Sequence, residues 1–217
     1  MLANMRQTAE LVDVFRRHGT KHTYKKGDYI IHPGETPSGV FYIYEGLVKA
    51  YDITKYGEEN LLIIRKSHEI FPLIWALTGE ERSVIYQTLA PTVVWKISRE
   101  CFEDAIMKHT AAMAPILDMA IEMYRLHSER ILNLEYRSVR ERIVSFLLTM
   151  ATRFGEHTEE GLVIGVPLRH QDIASSVNAS RETASRELAA LERRGLIVNR
   201  QSSITLVDQA QLEAILN

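Results

Sequence analysis

Between residues 112 and 137 the chain carries a helical pattern that everything else must be arranged around. Met113, Leu117, Ala120, Tyr124, His127, Ile131 and Leu134 step alternately by four and three residues, the spacing of a coiled-coil seam. Three heptads of this kind suit pairing with a second copy of the chain; the alternative is a stripe that packs only on its own protein. His127 falls on the seam, where a polar ring is costly unless it finds a partner. A satisfied core histidine is the plain reading of it.

The two sides of this helix differ in pattern. From Tyr24 to Ile97 short β-type runs alternate with turn signals: Tyr29 to Ile31, Pro33-Gly34, Val40 to Tyr44, Gly46, Leu47 to Tyr51, Gly57, Leu61 to Ile64, Ser83 to Leu89 and Val93 to Ile97. Many compact strands at near-regular spacing predict a barrel or jelly-roll sandwich. Arg99 to Lys108 reads as a short helix. After the long helix, Ser138 and Glu141 have capping-box spacing, so a new helix is expected there, with Val139, Ile143, Phe146, Leu147 and Met150 on one face. Gly155 is read as a left-handed stop, Glu156 to Gly161 as a charged loop and Leu162 to Val166 as a strand. With 217 residues the chain has room for two small domains, and three segments follow: 1–110, 111–137 and 138–217.

The most informative stretch is residues 169–197, RHQDIASSVNASRETASRELAALERRGLI. Ile173, Ala174 and Val177 give a short helix, Asn178 takes a left-handed turn, and Ser180 caps a second helix that Gly195 ends. That is a helix-turn-helix. Its second helix buries Ala184, Leu188 and Leu191, while Arg181, Glu182, Ser185 and Arg186 share an exposed side. Leu196 to Val198 and Ile204 to Val207 flank Ser202-Ser203 as a hairpin, which would form a wing.

Charge supports double-stranded DNA as the partner. The chain as a whole has a net charge of −2 and gives no argument. After Lys108, however, every basic residue is arginine, and ten Arg face eight acids between Arg137 and Arg200. A planar guanidinium binds phosphate and guanine edges bidentately. Most single arginines are merely solvated; Arg181 and Arg186 stand where recognition helices meet base edges.

The run Ser180-Arg181-Glu182-Thr183 followed by Arg186, with the β half and the seam helix, resembles the Crp/Fnr family, in particular its catabolite-activator branch. Nearly the whole chain is covered. The resemblance implies an α+β fold: an N-terminal cyclic-nucleotide-binding-like β-roll, a long dimerisation helix and a C-terminal winged helix-turn-helix. It implies a homodimeric, cytoplasmic transcription regulator recognising a TGTGA-like palindrome, with RNA polymerase as a partner if it activates. Arg181 and Arg186 would contact guanines and Glu182 a cytosine amino group, with Ser180, Thr183 and Ser185 beside them. His170 and Gln171 fall where the family places phosphate contacts.

For the β-roll the resemblance implies a cyclic nucleotide held by a cassette matching Ile70 to Leu77 and then Thr78 to Val84. Arg82 and Ser83 suit a cyclic phosphate, and Ser128 and His127 would face the ligand from the long helix, with Phe71 and Leu73 in the cassette. Pro72 departs from the pattern: it lacks an N–H and a carboxylate, and Phe71 replaces a glycine. Cyclic AMP is therefore one candidate, and another small effector or none is favoured.

Other functions leave weaker traces. His32, His68 and His127 are the candidate axial ligands of a haem sensor, a nucleotide- or haem-sensing module working through protein partners being the alternative. One cysteine, Cys101, excludes an internal disulfide and a Cys-rich metal centre, and no metal site is expected. There is no Gly-rich phosphate loop, no His-Glu-x-x-His helix and no Gly-x-Ser-x-Gly elbow, so no enzyme is expected. No signal peptide or membrane span is read either.

Overall fold

A computed structural model of the chain describes residues 11–108, 112–200 and 203–217. It divides into two compact units, Met1–Asp52 with Leu62–Leu126 and Ile53–Leu61 with His127–Asn217.

The first unit is built on two four-stranded sheets. Strands β1 (Thr20–Tyr24), β3 (Val40–Glu45), β6 (Ile70–Phe71) and β8 (Thr92–Ile97) form one in the order β1-β8-β3-β6. Strands β2 (Tyr29–Ile31), β4 (Leu47–Ile53), β5 (Glu59–Lys66) and β7 (Ile85–Thr88) form the other in the order β2-β7-β4-β5. Successive side chains of a strand point to opposite faces, and β3 uses both. Val40 and Tyr42 enter one core with Leu11, Phe15, Ile70 and Phe102, whereas Phe41 and Ile43 enter a second with Ile31, Val48, Phe71, Tyr86 and Val94. Its apolar run lacks polar alternation because neither face meets water. Gly46 makes the β3–β4 turn at φ 113°, packed so closely on Thr92 that a side chain would collide.

Residues 11–18 form helix α1, which buries Leu11, Val14 and Phe15. The start of the amphipathic pattern, residues 1–10, lies outside the described residues. The cassette that begins at Ile70 supplies β6 and then α2 (Leu73–Thr78), an element the sequence pattern did not reveal. Helix α3 (Arg99–Lys108) forms as expected on Phe102 and Ala105.

Helix α4 (Met113–Tyr136) is the long helix. Met119, Met123 and the seam residue Ala120 pack against the first core, whereas the large seam residues do not: Leu117, Tyr124 and Ile131 are 58, 76 and 63% exposed, and Met113 and Leu134 are exposed as well. His127 is half-buried.

The second unit opens with α5 (Val139–Phe154). Ser138 caps it as the spacing predicts, accepting from the Glu141 amide while the Glu141 carboxylate accepts from the Ser138 amide at 2.7 Å. Gly155 departs from expectation. Its φ of −78° is extended, not left-handed, and it begins β9 (Gly155–Thr158), which pairs with β10 (Gly161–Ile164) where a charged loop was expected. Glycine is needed there for close approach: a side chain would collide with the Ala151 carbonyl and Leu162. A third sheet, β11-β12-β10-β9, includes the hairpin of β11 (Ile197–Arg200) and β12 (Ser203–Leu206). The expected turn residue Ser202 lies outside the described residues, and Ser203 already belongs to β12. The chain ends in α8 (Gln209–Ala214), capped by Asp208. Residues 53–61 join this unit through Arg130, which donates to the Leu61 carbonyl at 2.8 Å and Asn60 Oδ1 at 2.7 Å.

Candidate DNA interface and effector region

Helix α6 (His170–Ser176) starts where Asp172 turns back to accept from the Arg169 amide at 2.9 Å. The Arg169 guanidinium also donates to Asp172, at 2.8 Å, and to Glu59 at 3.0 Å. Its bonds to Asp172 and the two carboxylate charges hold this cation protonated even more firmly than usual. Asn178 makes the turn at φ 50°, and the Ala179 amide closes it on the Ala174 carbonyl at 3.0 Å.

Ser180 then caps α7 (Arg181–Arg193), its hydroxyl accepting from the Thr183 amide at 3.1 Å. Ala184, Leu188 and Leu191 are buried on one side, while Arg181, Glu182 and Arg186 lie exposed on the other. Thr183 and Ser185 are half-buried at the margin. The helix ends in a Schellman arrangement: the Leu196 amide donates to the Leu191 carbonyl and the Gly195 amide, at φ 71°, to Glu192. Two further bonds brace it. Arg140 of α5 pairs with Glu187 at 2.7 Å, and Glu192 accepts from the Asn199 amide of β11 at 3.0 Å.

The six recognition-helix residues expected from the sequence thus share one helix start. His170 and Gln171 lie half-buried at the start of α6. Both ring nitrogens of His170 are engaged within the protein: Nδ1 lies 2.8 Å from Ser185 Oγ and Nε2 lies 2.9 Å from Asn199 Nδ2. Asn199 was not among the expected residues; its only mark in the sequence is a position on the predicted hairpin.

In the β domain Phe71 is fully buried, stacked between Phe41 at 5.2 Å and Tyr86 at 4.8 Å. Leu73 is buried at the start of α2. Arg82 and Ser83 are exposed, in the segment before β7. His127 and Ser128 sit half-buried on the part of α4 that belongs to the second unit. The sequence reading missed a buried charged pair, Arg65 and Glu69, whose arginine acts on Tyr86. Arg65 donates to Glu69 at 3.2 Å and to the Met123 sulfur at 2.7 Å, and its Nε is buried without a partner among the described residues. Burial pushes the Tyr86 hydroxyl up, with the charges of Arg65 and Arg82 acting against it. Period-2 alternation from Ile63, which packs on the second core, points Arg65 inward.

The histidines considered for haem have ordinary surroundings. His68 Nδ1 lies 2.6 Å from the Tyr42 hydroxyl, whose pKa burial pushes up to about 12. His32 is exposed and stacks on Tyr29 at 5.0 Å. Among the described residues no group of three or more His, Cys, Asp or Glu is placed to hold a metal ion.

A cyclic-nucleotide-binding-type β domain, a long helix, and a helix-turn-helix with a small hairpin wing together define a DNA-binding transcription regulator with an effector domain. The cyclic nucleotide-binding domain family matches residues 21–109 and the Crp-like helix-turn-helix domain family residues 141–215. The chain belongs to the Crp/Fnr family of transcription regulators, which are not enzymes. The global nitrogen regulator of Synechocystis sp. is 28% identical over 94% of both chains. The cAMP-activated global regulator CRP of Salmonella typhimurium is 28% identical over 91% of this chain and 94% of its own. In fold, the chain is similar to a CooA mutant from Carboxydothermus hydrogenoformans, with a TM-score of 0.79 at 20% identity, covering 94% of this chain and 90% of that one. No described helix is long and apolar enough to cross a membrane.

Proposed function

We propose that the protein is a homodimer whose paired α7 helices read a TGTGA-like palindrome, and that a small effector in the β domain biases their arrangement. The observation that carries this reading is the exposed Arg181, Glu182 and Arg186 on a helix whose opposite side is buried. Arginine suits the O6 and N7 acceptors of guanine and glutamate the amino group of cytosine. Ser180, Thr183 and Ser185 lie beside them for phosphate or base contacts. Pairing follows from the apolar face of α4, because Leu117, Tyr124 and Ile131 stand exposed at heptad spacing, a surface that a second copy covers. A dyad through that helix would set two recognition helices about 34 Å apart in successive major grooves.

For the effector, Phe71 and Pro72 argue for a molecule other than cyclic AMP. Proline offers no donor or carboxylate, and the Phe71 ring fills the space between Phe41 and Tyr86. Arg82 and Ser83 remain open to a ligand.

Fluorescence anisotropy on a TGTGA inverted repeat, with and without cyclic AMP and against a scrambled duplex, tests the reading. Specific binding that needs no cyclic AMP is expected. Arg181→Ala should cost about 1–3 kcal/mol and relax preference at one base pair; unchanged discrimination would remove the assignment.

A further inference from the structure

The half-buried His170, which the family resemblance places among the phosphate contacts, joins the wing and the recognition helix within the protein. Its Nε2 lies 2.9 Å from the Asn199 amide nitrogen on the wing, and its Nδ1 lies 2.8 Å from Ser185 Oγ on α7. An amide nitrogen only donates and a neutral imidazole has one donor and one acceptor. Asn199 therefore donates to Nε2, which leaves the ring proton on Nδ1, where it donates to Ser185. The serine oxygen is then already accepting, and its own proton is free to go outward.

We propose that His170 is a positioning residue of the DNA interface, which ties the wing to the recognition helix and turns the Ser185 hydroxyl into a donor aimed at the DNA. The inference rests on α7 being the reading helix. Its chemical consequence is selective. Ser185 prefers an acceptor on a base edge, such as guanine O6 or N7 or thymine O4, and disfavours an amino group. The wing takes part through the same ring. Asn199 also donates its backbone amide to Glu192 of α7 at 3.0 Å, so the hairpin and the helix are joined by two separate bonds, of which His170 controls one.

Two measurements test this. The first needs no DNA: the ring nitrogen shifts of His170 in the free, full-length protein report the tautomer. The Nδ1–H form is expected; the Nε2–H form would overturn the proposal. The second selects binding sites from a randomised duplex pool with wild type, Ser185→Ala, His170→Ala, His170→Asn and His170→Gln, each checked for a native melting transition. An asparagine amide can stand in for Nδ1 and a glutamine amide for Nε2. His170→Asn should thus keep the wild-type preference at the base pair that Ser185→Ala relaxes, whereas His170→Ala and His170→Gln should relax it about five-fold, the worth of one hydrogen bond. The double variant Ser185→Ala/His170→Ala should lose no more than Ser185→Ala alone. The salt slope should stay at the wild-type value throughout. A uniform loss of affinity with a slope reduced by about one would instead identify a phosphate contact and refute the positioning role. If wild type enriches no site at all, the DNA reading of α7 fails, and the tautomer still decides the tie.

Discussion

Replacing Glu69 by glutamine should destabilise the β domain by about 3 kcal/mol, far more than a surface ion pair would. The Arg65 and Glu69 side chains are only 4 and 9% exposed, with 3.2 Å between Nη1 and Oε2. At an effective dielectric constant of about 20 the attraction at that distance is roughly 5 kcal/mol. Glutamine keeps a hydrogen-bond acceptor but surrenders the charge, so most of that attraction is lost while Arg65 stays desolvated. Removing one partner of a buried pair typically costs about 3–5 kcal/mol, whereas replacing both by apolar side chains of similar volume is close to neutral. Arg65→Met with Glu69→Leu should therefore recover to within about 1 kcal/mol of wild type. The assay is built into the sequence. The only two tryptophans, Trp75 and Trp95, pack against the first core, so urea unfolding followed by tryptophan fluorescence reports the β domain alone. A loss below about 1 kcal/mol for Glu69→Gln, or a double variant as unstable as the single one, would refute the reasoning.

Three further outcomes follow from the geometry. Ser138→Ala should lower stability by about 1 kcal/mol through the lost α5 cap, read as a shift in the thermal melt of far-UV circular dichroism. The bonds from Ser138 hold the Glu141 carboxyl below its ordinary value; its contribution is complete above the unfolded-state value near 4.5 and fades as pH falls through the lower folded one. Acid melts of Ser138→Ala should accordingly lose that part of the pH dependence, and an unchanged acid limb would contradict the cap. Gly155→Ala should cost more than Gly195→Ala, because the first meets the Ala151 carbonyl whereas the second has open space and only a left-handed φ of 71° to strain, about 1 kcal/mol. Thermal melts of the two variants give the order directly. Leu117→Asp combined with Ile131→Asp places charges on the exposed face of α4 and should shift sedimentation from dimer to monomer while leaving the tryptophan-reported stability intact; a dimer that persists would show that another surface pairs the chains.

How much of this could be read from residues alone depended on how local each feature is. The α7 helix was legible because its cap, its buried residues Ala184, Leu188 and Leu191 and its Gly195 stop lie within a few turns of one another. The same held for the Ser138–Glu141 box. Gly155 misled because glycine after a helix has two uses, a left-handed φ and a close approach, and the second depends on Leu162 across a hairpin that the charged residues 156–160 conceal. Helix α2 was hidden because the short apolar run around Trp75 has no side-chain N-cap and, although Gly79 ends it at φ 75°, is too brief for a period to emerge.

The effector region was the least legible part for the same physical reason. Its charges come from separate strands and loops: Arg65 on β5, Glu69 just before β6, Arg82 before β7. Only sheet pairing brings Arg65 and Arg82 within electrostatic reach of one tyrosine on β7. Family resemblance directed attention to Arg82 and Ser83, which the fold leaves exposed, and away from Arg65, which the fold buries. Yet Arg65 carried a signal of its own. It stands two residues after Ile63, on the inward side of a strand, where an unpaired guanidinium would be intolerable. A charged residue at an inward register position therefore demands a partner, and in this chain the search for that partner leads through Glu69 and Met123 to the interior facing α4.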